Sequence, residues 1–306
     1  MPRLHLVLIS IVAALTAAIV LVSFFIWQAL QLSPSELEPT AAAPEEAVTA
    51  PATDNPTIIG RSVENRVIEV YTFGTGSIDL LFVGGMHGGY EWNSSLLAWE
   101  MIDYFTETPA AIPGTYTVHI IPTLNPDGLA EVVGTGGRFL RMDVPNPDTR
   151  LATARFNANN VDLNRNFACN WAPESTWRGQ TVSAGTAPFS EPEATALRDY
   201  VMRTQPTAVA FWHSQASNVY GSACGDGVLP RTTTLGAAYA DAASYGYVDF
   251  FDAYPITGDA EGWLASIGIP AVTVELEEFG QTEFQRNLAG VQSWLNHFVA
   301  KNPTTQ

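Results

Sequence analysis

The chain has 306 residues, 46% of them hydrophobic, which is enough to build a sizeable core and excludes a wholly disordered polypeptide. Its 14 Lys and Arg stand against 31 Asp and Glu, a net charge of −17. So acidic a chain has no general attraction for phosphates, and no nucleic-acid partner is expected.

At the N-terminus, no Asp, Glu, Lys or Arg occurs between Arg3 and Glu36, and Leu6 to Leu30 is an almost unbroken apolar run. A bilayer-spanning helix needs about 20 such residues, whereas the apolar part of a signal peptide has roughly 7–15. The length predicts a signal anchor over residues 1–32, with a signal peptide cut near Ala41–Ala43 as the alternative. Arg3 before the span and acidic residues after it place the remainder outside the cytoplasm. Residues 33–56 carry five prolines and five acidic residues, the composition of an extended linker. Residues 57–302 are expected to form one catalytic domain.

Within that domain, Arg66–Phe73 alternates like a half-buried strand, and Asp79–Gly84 and Thr117–Ile121 read as buried strands. Between these two, Trp92, Leu96, Leu97, Ile102 and Phe105 recur at helical spacing. Ser190-Glu-Pro-Glu193 reads as a capping box opening a helix to about Thr204. Strands Thr207–Trp212 and Ala271–Leu276 follow, then a helix over roughly Thr282–Ala300, with Phe284, Leu288, Val291, Leu295 and Phe298 on one face. Strands alternating with helices predict an α/β domain with a mixed, largely parallel central sheet flanked by helices. In such sheets functional residues gather at the carboxyl ends of strands.

Three of these strand ends carry candidate chemistry. The strand Asp79–Gly84 runs into His87-Gly-Gly-Tyr-Glu91, Thr207–Trp212 into His213-Ser214, and Ala271–Leu276 carries Glu275. Two His and one Glu are a common ligand set for catalytic zinc, leaving a position for water. A further carboxylate must then take the proton of that water, and Glu275 is the candidate.

These segments resemble the zinc carboxypeptidases of peptidase family M14. Ile59–Glu64 is similar to the family's early strand region, Val83-Gly-Gly-Met-His87 with Glu91 to its first zinc motif, and Asn125-Pro-Asp-Gly128 to the turn after the next strand. Arg155 to Phe167, through Asn164-Arg165, resembles the substrate-carboxylate motif. Phe211-Trp-His213-Ser214 resembles the third-ligand motif, and Thr273-Val-Glu275-Leu276 the catalytic glutamate. The motifs stand in family order over about residues 57–300. The resemblance implies one zinc per chain on His87, Glu91 and His213, and Glu275 as general base and then acid. It implies Arg155 at the scissile carbonyl and Asn164 and Arg165 on the substrate's terminal carboxylate. Tyr254 lies near the place of the family's substrate-binding tyrosine. Asp259 and Glu261 fall where the family shapes its side-chain pocket, which suggests a cationic substrate residue. One departure is the spacing of the first motif, with three residues rather than two between His87 and Glu91; the two glycines can absorb the extra one as a bulge.

His119 is expected to be a packed core histidine. Cys169 and Cys224 each follow a motif on the active-site side of the sheet; an oxidising exterior permits a disulfide between them, and two free buried thiols are the alternative. The expected activity is hydrolysis of the C-terminal bond of peptides with a free C-terminus, by a domain anchored to the membrane through its N-terminal helix. The alternatives are an amidase of diaminopimelate-type cell-wall peptides on the same scaffold and a non-catalytic, zinc-bearing peptide-binding module.

Overall fold

The computed structural model describes residues 56–147, 150–225 and 227–297, so the expected N-terminal span, most of the expected linker and the last positions of the expected final helix, Phe298 among them, lie outside the described residues. Among the described residues no helix is long and apolar enough to cross a membrane.

The strands in chain order are β1 (Thr57–Arg61), β2 (Val67–Gly74), β3 (Ile78–Val83), β4 (Tyr116–Ile121), β5 (Glu174–Trp177), β6 (Gln180–Ser183), β7 (Ala208–Ser214), β8 (Asn218–Gly221), β9 (Gly246–Val248) and β10 (Ala271–Leu276). The helices are α1 (Trp92–Glu107), α2 (Pro126–Val133), α3 (Pro192–Thr204), α4 (Pro230–Ala243), α5 (Ala260–Ser266) and α6 (Phe284–His297). Eight strands form one sheet in the order β1-β2-β4-β3-β7-β10-β8-β9, and β5 and β6 form a separate hairpin. The central pairs β4–β3, β3–β7 and β7–β10 are parallel, while β1–β2, β2–β4 and β10–β8 are antiparallel. This is the mixed sheet that the alternation of strands and helices leads one to expect.

The central strands are mostly apolar, with few polar positions, because helices cover both of their faces. Leu80, Phe82, Ala210 and Trp212 join one core with Leu97 and Phe105 of α1, Tyr239 of α4 and Trp294 of α6. Leu81, Val83, Val209 and Phe211 turn the other way, to Leu197 of α3 and Trp263 of α5. Burying each such side chain contributes about 1.5–3 kcal/mol.

One local expectation changes. The helix after Ser190 begins at Pro192, with Glu191 as its cap residue and no side-chain cap bond. Proline fits the first helical position, where its missing N–H would have no partner anyway. The capping box therefore does not form: Ser190 Oγ donates to Glu191, and Glu193 accepts from Asn157 and the Val63 amide. His119 is buried but polar in its surroundings, with Asp79 at 2.8 Å from Nε2 and the Tyr200 hydroxyl at 2.8 Å from Nδ1.

Cys169 and Cys224 are joined as a disulfide, with Cα atoms 5.8 Å apart across 55 residues of chain. Closing a loop of that length stabilises the fold by about 4 kcal/mol in the chain-entropy treatment. The Cys169→Ala, Cys224→Ala double variant should therefore unfold at lower urea, with its unfolding free energy reduced by about 2–4 kcal/mol. An unchanged midpoint would show that packing alone holds this loop.

Candidate metal and active site

The parallel register brings the site together. In the β7–β10 pair His213 stands opposite Glu275, and β3, on the other side of β7, ends four residues before His87. Gly88 to Glu91 then make one tight 3-10 turn ahead of α1. Gly88 sits at φ 48°, a conformation that glycine adopts without strain. A Cβ there would also stand 2.8 Å from the Ala154 carbonyl oxygen. The turn takes up the additional residue of the first motif and points the Glu91 carboxylate back at His87.

His87, Glu91 and His213 are all buried and converge. His87 Nδ1 is 3.0 Å from Glu91 Oε1, His213 Nδ1 is 3.0 Å from Glu91 Oε2, and the two Nδ1 atoms are 3.1 Å apart. Ligands at 2.0–2.1 Å around a tetrahedral zinc stand about 3.3 Å from one another, so this triangle has the dimensions of three zinc ligands. The outer nitrogens face carboxylates: His87 Nε2 is 3.6 Å from Asp162 and His213 Nε2 is 3.5 Å from Glu261. Such partners orient metal-binding imidazoles and select their tautomer. Burial alone would lower the pKa of His213, but the carboxylates of Glu91 and Glu261 outweigh it and hold it up to about 10. Burial would raise the Glu91 carboxyl; the two imidazoles pull it well below the usual range. A pocket this electronegative favours a cation in place of the protons. The residues therefore fit zinc, on donor type, spacing and burial together.

Glu275 is half-buried at the edge of this cluster, and its Oε2 is inaccessible and without a hydrogen-bond partner among the described residues. Burial, then the charge of Glu91, pushes its carboxyl up to about 7. That is the range in which a carboxylate can accept and return a proton near neutral pH.

Arg155 is buried in the turn Ala152–Arg155, donates from Nε to Asp162 at 2.9 Å, lies 3.7 Å from Glu91 and packs over the Trp177 ring. Asp162 thus stands behind both His87 and Arg155. Burial works to raise its pKa, but Arg155 and Arg165 hold it far below the usual carboxylate range. Asn164 and Arg165 are buried next to it. Asn164 Oδ1 accepts from the Ala260 amide, and Arg165 donates to the carbonyls of Asn164 and Thr176. Among the described residues no carboxylate lies within 4.0 Å of Arg165, and its Nε has no partner.

Other expected positions take other places. The ring contact of Tyr254 is with Phe251, and among the described contacts none joins it to the His/Glu cluster. Asp259 caps α5 by accepting from the Gly262 amide, and Glu261 is engaged behind His213 and by Thr273. These two carboxylates are held by the protein's own groups, so they are not a free pocket for a cationic substrate. Asp162 and Glu261 as backing groups escaped the sequence reading. The signal for Asp162 was its place two residues before Asn164-Arg165; nothing local marks Glu261.

A solved structure of murein-tripeptide amidase from Escherichia coli O157 superposes with a TM-score of 0.58 at 23% identity, covering 82% of this chain and 94% of that one. Bovine thrombin-activatable fibrinolysis inhibitor, solved in complex with tick carboxypeptidase inhibitor, gives 0.63 at 20% identity, covering 81% and 91%. These likenesses show the fold. In sequence, murein peptide amidase A of Escherichia coli K12 is 33% identical over 148 residues, 45% of this chain and 57% of the relative, so the match spans little more than half of that protein. The family model for zinc carboxypeptidases matches residues 49–288, most of the chain and every segment that builds the cluster described above. The chain belongs to the zinc carboxypeptidase family, peptidase family M14.

Proposed function

We propose that this protein is a zinc-dependent hydrolase of the amide bond next to a free C-terminal carboxylate. The observation that carries this reading is the buried Arg165 guanidinium, which has no carboxylate within 4.0 Å among the described residues. A buried cation with no carboxylate in direct contact is expensive, so the site is built for an anion that arrives with the substrate. The planar guanidinium fork, with Asn164 beside it, matches a carboxylate.

When bound, zinc supplies Lewis acidity and makes a water nucleophilic near neutral pH. Glu275 takes the proton of the attacking water and returns it to the leaving amine. Arg155, held by Asp162, faces the developing charge on the carbonyl oxygen. Asn164 and Arg165 hold the terminal carboxylate and thereby set which bond lies over the cluster.

A peptide with a free C-terminus should be cut at least about 30-fold more efficiently than its amide, since an unpaired buried charge costs 2–5 kcal/mol. Arg165→Ala should lower kcat/KM for the acid and largely erase the difference. Equal cleavage of acid and amide by the wild type would sink the terminal-carboxylate reading. A second substrate, bacterial cell-wall peptide, is favoured by the similarity to murein peptide amidase A. Mass spectrometry of muropeptides and of a linear peptide library after digestion separates the two: release only from muropeptides selects the amidase reading, and release only from linear peptides the carboxypeptidase one.

A further inference from the structure

Among the described residues, five of the twelve arginines meet carboxylates: Arg66, Arg138, Arg155, Arg198 and Arg286. Arg150 and Arg178 do not. Both point at one neutral oxygen, the Tyr90 hydroxyl, at 3.4 and 3.1 Å, and among the described residues no carboxylate lies within 4.0 Å of either. The Arg150 guanidinium lies 4.7 Å from the centre of the Tyr90 ring and 4.3 Å from that of Phe279, and its Nη2 donates to the Ser214 carbonyl and hydroxyl. It is therefore rigidly held, one residue from His213, with Nη1 bound only by the long contact to Tyr90. Arg150 is half-buried, with a buried Nε that has no partner among the described residues, and Arg178 is exposed; an anion placed beside the Tyr90 hydroxyl would meet both guanidinium groups.

The side of the site follows from the contacts. Arg165 and Asn164 touch Thr176 and Ala260, and the charge of Arg165 reaches Asp162 and Asp259. Arg150 touches Ser214, Tyr90 and Phe279, and its charge reaches Glu275. The two sets share no residue. If Arg165 holds the terminal carboxylate on the amine side of the scissile bond, Arg150 is left for the acyl side.

We propose that Arg150 and Arg178 form an anion subsite for the residue just before the scissile bond, so that substrates with a carboxylate on that residue are preferred. This rests on the hydrolase reading above, and names the acyl half of its substrate. Neither arginine lies in the motifs that carry the family resemblance.

The test uses the zinc-loaded full chain and two free-acid peptides that differ only in Glu or Gln before the scissile residue. The Glu peptide should have the higher kcat/KM by at least about tenfold, or about 1.4 kcal/mol, with the difference mainly in KM. Arg150→Gln should bring the ratio near one. Arg150→Lys, which keeps the charge between the two rings, should retain part of it and guards against misfolding of the first variant. Arg165→Ala should weaken both peptides and leave the ratio standing. Direct titration of both peptides onto the Glu275→Gln variant should show the same preference without turnover. Equal kcat/KM for the two peptides, with the acid-over-amide preference intact, overturns this subsite alone. No hydrolysis of either peptide overturns the subsite, and the hydrolase reading falls with it if muropeptides too are left uncut.

Discussion

Glu275→Gln should lower kcat by up to about 10,000-fold, the upper range for loss of a positioned proton-transfer group, while zinc content and peptide affinity stay near wild type. The substitution keeps shape and removes only the ability to take a proton. The side chain sits beside His213 in the β7–β10 register and has an oxygen with no partner among the described residues, so the amide meets little that was bonded before. The pH dependence follows with a definite sign. Burial and then Glu91 raise the Glu275 carboxyl to about 7, and only its ionised form accepts a proton. Activity is therefore present above that pKa and falls tenfold per unit below it. A dication bound nearby favours the ionised form, which moves this acid limb below about 7. The Gln variant should lose the limb together with the rate. Stopped-flow or discontinuous assays from pH 5 to 9 measure both; near-normal turnover, or an unchanged limb in the variant, would mean that another group is the base.

Removing a ligand should be as damaging and should show in the metal itself. His87→Ala or His213→Ala leaves two of three donors, and Glu91 then loses one of the two imidazoles it contacts at 3.0 Å. Loss of an outer partner alone costs about 10–100-fold in metal affinity, so loss of a ligand should exceed about 100-fold. Zinc measured by mass spectrometry after dialysis against a weak chelator should fall from one per chain to near zero, with hydrolysis falling in step. Glu91→Gln tests the unusual spacing separately: if this variant keeps zinc as tightly as wild type, Glu91 is not a ligand. Full stoichiometry in the His87→Ala, His213→Ala double variant would remove the metal site altogether.

What the sequence determined by itself was whatever depends on short-range pattern. The continuous apolar runs at Asp79–Gly84 and Thr207–Trp212 could be read as strands buried on both faces, because period and length alone carry that information. The same runs lead into His87 and His213, so the candidate ligands were legible as residues at strand ends. The boundaries were less secure: Pro192 moved a helix start by one position through a constraint on one backbone nitrogen. The tertiary structure alone decided what lies around the ligands. Whether Glu91 could reach across a three-residue gap depended on a turn packed against Ala154. Asp162 meets His87 across 75 positions of chain, Glu261 meets His213 across 48, and Arg150 meets Ser214 across 64. Asp259, by contrast, was drawn into capping a helix. Such pairings leave no periodic trace in the chain. They arise because a buried charge must find a partner wherever the packed sheet and helices place one, and only the three-dimensional arrangement says which carboxylates are already engaged and which arginines still wait for an anion.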